Sequence, residues 1–303
     1  MRSRPFEAIT FLTAFGVAAF TTLAAYSPPR PAARSSREAR LARPALQHAS
    51  VLDRHLLVAW YGNPWTGRMG ILGRLTGDAL TNGLRRQAGA FAAVSDKPVL
   101  PAYELIAVVA QPRPGPDGMY RRRESREVIE RMLREARQAG YKLILDVQTG
   151  RSTVLRELAY LAPYLAEPDV YLALDPEFSM PPGEVPGRRI GTMAASEVND
   201  AIAVLEHLIA RYELPPKVLI VHQFTLGMLP DKERIWSSPR IDVVLDMDGF
   251  GSRALKRHTY RSVLRQRPLE FAGFKLFYEQ DTDLLQPADV LALSPSPSVI
   301  IYQ

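Results

Sequence analysis

Eight short apolar runs recur between residues 55 and 303, and nearly every one ends in an acid or an amide. The clearest is Tyr171-Leu-Ala-Leu-Asp-Pro-Glu-Phe178, which closes on Asp175 and Glu177. Leu143-Ile-Leu-Asp-Val-Gln148, Val243-Val-Leu-Asp-Met-Asp248 and Lys275-Leu-Phe-Tyr-Glu-Gln-Asp281 finish in the same way. Continuous apolar runs of this length read as strands buried on both faces, and stretches of helical period lie between them. A chain with that alternation has to bury a parallel sheet beneath helices. Polar residues close strands throughout the chain rather than at one switch point. The pattern therefore predicts an α/β fold of the (β/α)8 TIM-barrel type in preference to a doubly wound open sheet.

The predicted strands are 55–61, 103–111, 142–148, 170–174, 217–223, 241–248, 271–281 and 299–303. Helices are predicted over 78–93, 125–138, 152–165, 196–212, 252–265 and 288–292. In the second of these, Val128, Ile129, Met132, Leu133 and Ala136 share one face, and Gly140 supplies a stop.

The barrel is expected to occupy residues 51–303. Residues 1–27 read as a signal peptide or membrane anchor: Arg2 and Arg4 precede an apolar run from Ile9 to Ala25. Residues 28–50 read as a Pro/Arg-rich linker that cannot bury apolar surface. The first 50 residues hold seven arginines and two glutamates, so they carry +5 of the net +6. That leaves the barrel near neutral and argues against a nucleic-acid partner. Membrane contact is expected only through residues 1–27, with the barrel secreted or membrane-anchored and monomeric. The chain has no cysteine, which excludes disulfides and thiolate metal sites.

Alternation along a strand puts residues two apart on the same side. By that rule Asp146 pairs with Gln148, Asp175 with Glu177, Asp246 with Asp248, and Glu279 with Asp281. Gathering so many carboxylates in one mouth is unfavourable unless they bind a cation, share protons or meet bases. Arg151 and Lys275 are the candidate counter-charges. His222 is the histidine at a strand's C-terminal end, suited to proton transfer or ligation. Tyr61, Gln111, Gln148, Gln223 and Gln303 also fall at strand ends, where amides and phenols suit sugar hydroxyls. Exposed faces for stacking are sought among Trp60, Trp65, Phe178, Phe224, Phe250 and Tyr278. No cofactor is expected. An oxygen-rich Mg²⁺ or Ca²⁺ site built from Asp146, Asp175 and Asp248 is the alternative.

Glu177 and Glu279 fall at the predicted ends of strands 4 and 7. In this the chain resembles the superfamily of barrel glycosidases whose acid/base and nucleophile glutamates close those strands, with Pro176 standing where that superfamily usually has Asn. Asp175-Pro-Glu177 is also similar to the strand end of lysozyme-like muramidase barrels, and Ile241 to Asp248 to the acidic strand of chitinase-like barrels. Taken whole, residues 55–303 resemble a family of exported bacterial barrel proteins of actinobacterial type. That likeness runs through Tyr61-Gly-Asn-Pro64, Leu145-Asp-Val-Gln-Thr-Gly-Arg151, Leu172-Ala-Leu-Asp-Pro-Glu177, Val221-His-Gln-Phe224, Met247-Asp-Gly-Phe-Gly251, Lys275-Leu-Phe-Tyr278 and Tyr302-Gln303.

The glycosidase resemblance implies a hydrolase of a cell-wall or extracellular polysaccharide, working by carboxylate acid/base chemistry. Glu177 would be the acid/base and Glu279 the nucleophile or base, with Asp175 a competing catalytic acid. Tyr61, Gln111, Asp146, Gln148, Arg151, His222, Gln223, Asp248, Lys275, Asp281 and Gln303 would bind substrate or tune it. The alternatives are a non-catalytic glycan-binding barrel and a metal-assisted hydrolase or lyase of another substrate class.

Overall fold

The structure is a computed structural model that describes residues 50–265 and 271–303. The predicted targeting segment, and the linker up to residue 49, lie outside the described residues. Nine strands form one sheet: β1 (Leu56–Gly62), β2 (Val99–Ala110), β3 (Arg121–Arg123), β4 (Lys142–Val147), β5 (Val170–Leu174), β6 (Lys217–Gln223), β7 (Ile241–Met247), β8 (Phe271–Leu276) and β9 (Val299–Tyr302). All but β3 pair in parallel, and the ring closes because β1 meets both β2 and β9. The fold is an eight-stranded (β/α)8 barrel.

Its helices are α1 (Val51–Arg54), α2 (Gly77–Ala92), α3 (Arg126–Ala139), α4 (Val154–Leu165), α5 (Ala195–Tyr212), α6 (Arg253–Leu264) and α7 (Pro287–Leu291). They form where the apolar period of the sequence requires. In α3 the Ser125 side chain caps the first turn by accepting from Val128 N, the five predicted apolar residues are buried, and Gly140 ends the helix in the left-handed conformation.

The strands are buried on both faces, and the two faces bury different things. The outward face packs under the helices with residues such as Tyr103, Leu105, Leu145, Leu172, Leu219 and Leu245. The inward face builds a second apolar cluster in the lower barrel from Leu57, Ala59, Ala102, Ile144, Ala173, Ile220, Val244, Phe271, Val299 and Ile301. Helix α1 plugs the floor. Leu52 is fully buried in that inner cluster, and Asp242 Oδ2 accepts from Ser50 Oγ at 2.8 Å and Leu52 N at 3.0 Å. Ser50, read from sequence as the last linker residue, is thus already part of the barrel.

Three buried lysines tie the periphery together. Lys217 Nζ donates to the carbonyls of Glu167 and Val170, Lys232 Nζ to the Val263 carbonyl and Gln223 Oε1, and Lys256 Nζ to the carbonyls of Gly249 and Lys275. Lys256 Nζ also pairs with Asp281 at 2.9 Å. Among the described residues no helix is long and apolar enough to cross a membrane.

Three expectations are corrected. The strand predicted to run from 271 to 281 ends at Leu276. From Phe277 the chain turns, held by Asp281 N to Phe277 O at 3.1 Å and by Phe277 N to Asp281 Oδ2 at 3.0 Å. The second strand begins at Val99, four residues before its predicted start, and the antiparallel β3 on its far edge was not anticipated. Finally, β2 has an irregularity in its register with β4 between Ile106 and Val108. Ala107 and Val108 both join the outer cluster, and Val109 turns inward. A bulge of this kind interrupts the period-two pattern from which facing was read.

Candidate active site

Above the apolar floor, the inward positions become polar. β1 supplies Tyr61, β2 Glu104, β4 Asp146, β6 His222, β7 Asp246 and β8 Lys275. Gln148, Asp175 and Asp248 stand just beyond the ends of β4, β5 and β7. Glu104, Asp146, His222 and Asp246 have no solvent exposure, and Asp175 and Lys275 almost none. Parallel strands carry their side chains on one register, so the C-terminal halves of the strands converge here, as barrel sites do.

His222 is the hub. Its Nδ1 meets Asp246 Oδ2 at 3.0 Å, with Asp248 Oδ2 at 3.5 Å, and its Nε2 meets Glu104 Oε1 at 3.0 Å. Both close neighbours are carboxylates, an arrangement that favours a proton on each ring nitrogen. Burial opposes the charge this brings, but the bonds to Asp246 and Glu104 carry its pKa well above the ordinary histidine value. Lys275 Nζ donates to Asp248 Oδ2 at 3.1 Å and lies 3.7 Å from the centre of the Tyr61 ring. Burial would lower its pKa too, yet the charges of Asp248, Glu104, Asp175 and Asp246 raise it.

A second set of bonds joins the other acids. Tyr61 OH donates to Asp146 Oδ2 at 2.9 Å. Gln148 Nε2 reaches Tyr61 OH at 3.3 Å and Asp175 Oδ2 at 3.2 Å. Burial, and then the charge of Asp175, hold Asp146 well above the usual carboxylate range. Burial also raises Asp246, against the bond from His222. Burial drives Asp175 up to about 7, with Asp248 and Glu177 adding to the shift and His222 opposing it. Glu177 follows in a single turn of 3-10 helix, Pro176–Phe178, and is only half-buried. Burial and the charge of Asp248 raise its pKa as well. The loop folds back over that turn at Gly191, where a Cβ would lie 2.6 Å from the Glu177 carbonyl, so no larger residue fits.

Gly273 makes the centre possible. A Cβ there would come within 2.4 Å of Asp246 Oδ1, so a side chain on β8 would displace the carboxylate that orients His222.

Of the residues expected from sequence, the structure brings Tyr61, Asp146, Gln148, Asp175, His222, Asp248 and Lys275 into this network, with Glu177 at its edge. The others go elsewhere. Glu279 lies beyond the end of β8, with its side chain 62% exposed and paired with Arg74. The turn after Leu276 removes it from the strand end that its assignment required. Asp281 braces that same turn, bonding Phe277 N, Gly251 N and Lys256. Gln223 faces outward and ties its own loop through the carbonyls of Thr225 and Leu226. Gln111 bonds back to the Val109 carbonyl, and Arg151 stacks on Tyr120 while donating to the Glu184 carbonyl. Gln303 joins the end of β8 through its backbone.

Glu104 is not among the residues expected from the sequence. Its signal was a lone carboxylate in the middle of an otherwise apolar strand, which a buried position does not tolerate without a partner. Among the described residues, one set of three potential metal ligands comes together: Glu104, Asp146 and His222, all buried. It shares only Asp146 with the Asp146, Asp175 and Asp248 set read from sequence.

No protein-family model matches the chain, and no curated protein matches it. Among solved structures it is similar to a hyperthermophilic endo-β-1,4-glucanase in complex with substrate. The identity is 8%, the match covers 67% of this chain and 77% of that one, and the TM-score is 0.35. At that similarity, the barrel assignment rests on the strand pairing above.

Proposed function

We propose that the protein is a hydrolase that cleaves a glycan by carboxylate acid/base chemistry at the C-terminal mouth of the barrel. The observation that carries this reading is Asp175. It closes β5, accepts from Gln148, and keeps its proton to about pH 7 because of burial and the nearby Asp248 and Glu177. A carboxylic acid that titrates near the working pH is suited to donate a proton to a leaving oxygen and take one back. Glu177, half-buried at the edge of the network, is placed to activate water. Asp248, held by Lys275, supplies negative charge for a cationic transition state.

Two large aromatic residues support a sugar substrate. Trp65 is 60% exposed in the loop after β1, and Phe250 is 61% exposed in the loop after β7. Both loops leave the C-terminal ends of barrel strands, the end at which the acids lie, and exposed rings offer stacking faces for pyranose rings. Trp65 is held in place by Nε1–H donation to Glu124 Oε2 at 2.6 Å. With the apolar segment of residues 1–27, the reading extends to a cell-wall or extracellular polysaccharide as substrate.

The test is reducing-end release from a panel of wall and storage polysaccharides by the full chain. Asp175→Asn and Glu177→Gln should each lower turnover by about 10²–10⁴-fold while keeping the wild-type circular dichroism spectrum. Undiminished turnover in Asp175→Asn would overturn the assignment. Glycan binding without turnover in the wild type would replace it with a binding barrel.

A further inference from the structure

The interior network is short of positive charge. Among the described residues, Glu104, Asp146, Asp175, Asp246 and Asp248 surround two buried cations, His222 and Lys275, with Lys256 acting on Asp246 and Asp248 as well. Four of those acids also leave an oxygen with no hydrogen-bond partner: Glu104 Oε2, Asp146 Oδ1, Asp175 Oδ1 and Asp246 Oδ1. Buried carboxylate oxygens are rarely left unpaired, because each forfeits its hydration without replacement.

Two of the acids with an unpaired oxygen, Glu104 and Asp146, come together with His222. A donor atom from each of Glu104, Asp146 and His222 lies within 4.8 Å of the other two. Glu104 and Asp146 each carry one unpaired oxygen and are completely buried. His222 turns Nε2 towards Glu104 and gives its Nδ1–H to Asp246 at 3.0 Å. A histidine whose far nitrogen is fixed by a carboxylate is oriented as metal-bound histidines are, with tautomer and ring direction set from behind. Asp146 is fixed likewise by Tyr61 OH, at 2.9 Å, on the oxygen that leaves Oδ1 free.

We infer that Glu104, Asp146 and His222 form a binding site for one divalent first-row transition-metal ion, with Asp246 and Tyr61 orienting the ligands. One imidazole and two carboxylates suit Zn²⁺, Mn²⁺ or Co²⁺. Ca²⁺, which takes six to eight oxygens, is disfavoured by a set of three. On binding, His222 gives up its Nε2 proton to solvent, so the metal replaces the imidazolium charge and adds to it. The inference does not depend on the hydrolase reading, because the site lies on inward strand positions below Asp175 and Glu177 and its occupancy is measured without substrate.

The experiment is to strip the full-length protein with a chelator, titrate it separately with Zn²⁺, Co²⁺ and Mn²⁺, remove free ion, and measure metal per chain and melting temperature. One equivalent of at least one ion is expected, with a rise in melting temperature and, for Co²⁺, a visible d–d absorption showing nitrogen and oxygen ligation. Glu104→Gln and Asp146→Asn should abolish retention, and Asp246→Asn should weaken it by about 10–100-fold. Wild-type protein that retains no stoichiometric ion and shows no change in melting temperature overturns the inference, even if the variants fail to fold. So does retention unaffected by Glu104→Gln in a folded variant, which would put the metal elsewhere. A failed glycan assay beside stoichiometric metal would overturn only the proposed hydrolase.

Discussion

Asp242 and Asp175 are both buried, inward-facing aspartates in the same barrel, and they live under opposite conditions. Asp242 sits in the apolar floor, where Oδ2 accepts from Ser50 Oγ and Leu52 N at 2.8 and 3.0 Å. Asp175 sits at the mouth, bonded only to Gln148, with its second oxygen unpaired and other acids around it. At the floor, a carboxylate is used to fasten a plug. At the mouth, carboxylates are crowded beyond what stability would choose, a pattern that packing alone does not produce.

The largest expected effect comes from removing the positive charge at the mouth. Lys275→Met leaves Asp248 without its 3.1 Å donor and strips a cation from the acids around it. It should destabilise by about 3–5 kcal/mol in urea melts at pH 8. The loss should shrink at pH 5, where Asp175 holds its proton. An equal loss at both pH values would show that Lys275 acts by packing alone.

Asp175→Asn should act in the opposite direction. In the folded chain Asp175 holds its proton to about pH 7, against 3.8 for a free carboxyl. The stability this contributes is therefore complete below about pH 4 and is lost as pH rises towards 7, to a total of up to about 4 kcal/mol. Asn cannot ionise, so the variant should be more stable than wild type at pH 8 and should flatten the pH dependence between 4 and 7. A variant less stable at pH 8 would contradict this.

At the floor, Asp242→Ala leaves the Ser50 hydroxyl and the Leu52 amide without their acceptor, and should cost about 1–3 kcal/mol at both pH values. If its cost were pH-dependent like that of Lys275→Met, the contrast between floor and mouth would fail. The smallest effect is expected for Glu279→Gln. Its exposed pair with Arg74 is worth little, so stability should change by less than about 0.5 kcal/mol and glycan turnover should be unaffected. A collapse of turnover would bring Glu279 back into the site.

The barrel was legible because buried strands and amphipathic helices write different periods, and Ser125 and Gly140 bracket α3 as capping chemistry requires. The acids at the ends of β4, β5 and β7 were legible for the same reason, since a period of two carries them to one side. That logic stopped wherever the backbone left the strand. Glu177 lies in a 3-10 turn rather than on a strand, and Glu279 follows a turn closed by Asp281, whose role depends on a fold that local pattern does not encode. Glu104 was hidden differently. It lies in mid-strand rather than at a strand end, and only the closed ring brings it, 118 residues away in sequence, to the far nitrogen of His222.

The buried lysines bear on how this molecule could be watched. The chain has six lysines in all, and Lys217, Lys232, Lys256 and Lys275 are buried. Burial lowers the pKa of Lys217 to about 8 and also lowers those of Lys232 and Lys256, so each amine would be a ready nucleophile if a reagent reached it. Lys97 and Lys142 are the two partly exposed lysines. Pulse acylation would therefore mark those two in the folded state and light up the other four only as their surroundings open. Lys217 would report the junction of β5 and β6, Lys232 the end of α6, and Lys256 the turn beyond β8. The same scarcity makes arginine the surface cation of the barrel, so coupling the folded protein to a solid support through its lysines would seize the barrel near its floor and leave the mouth free.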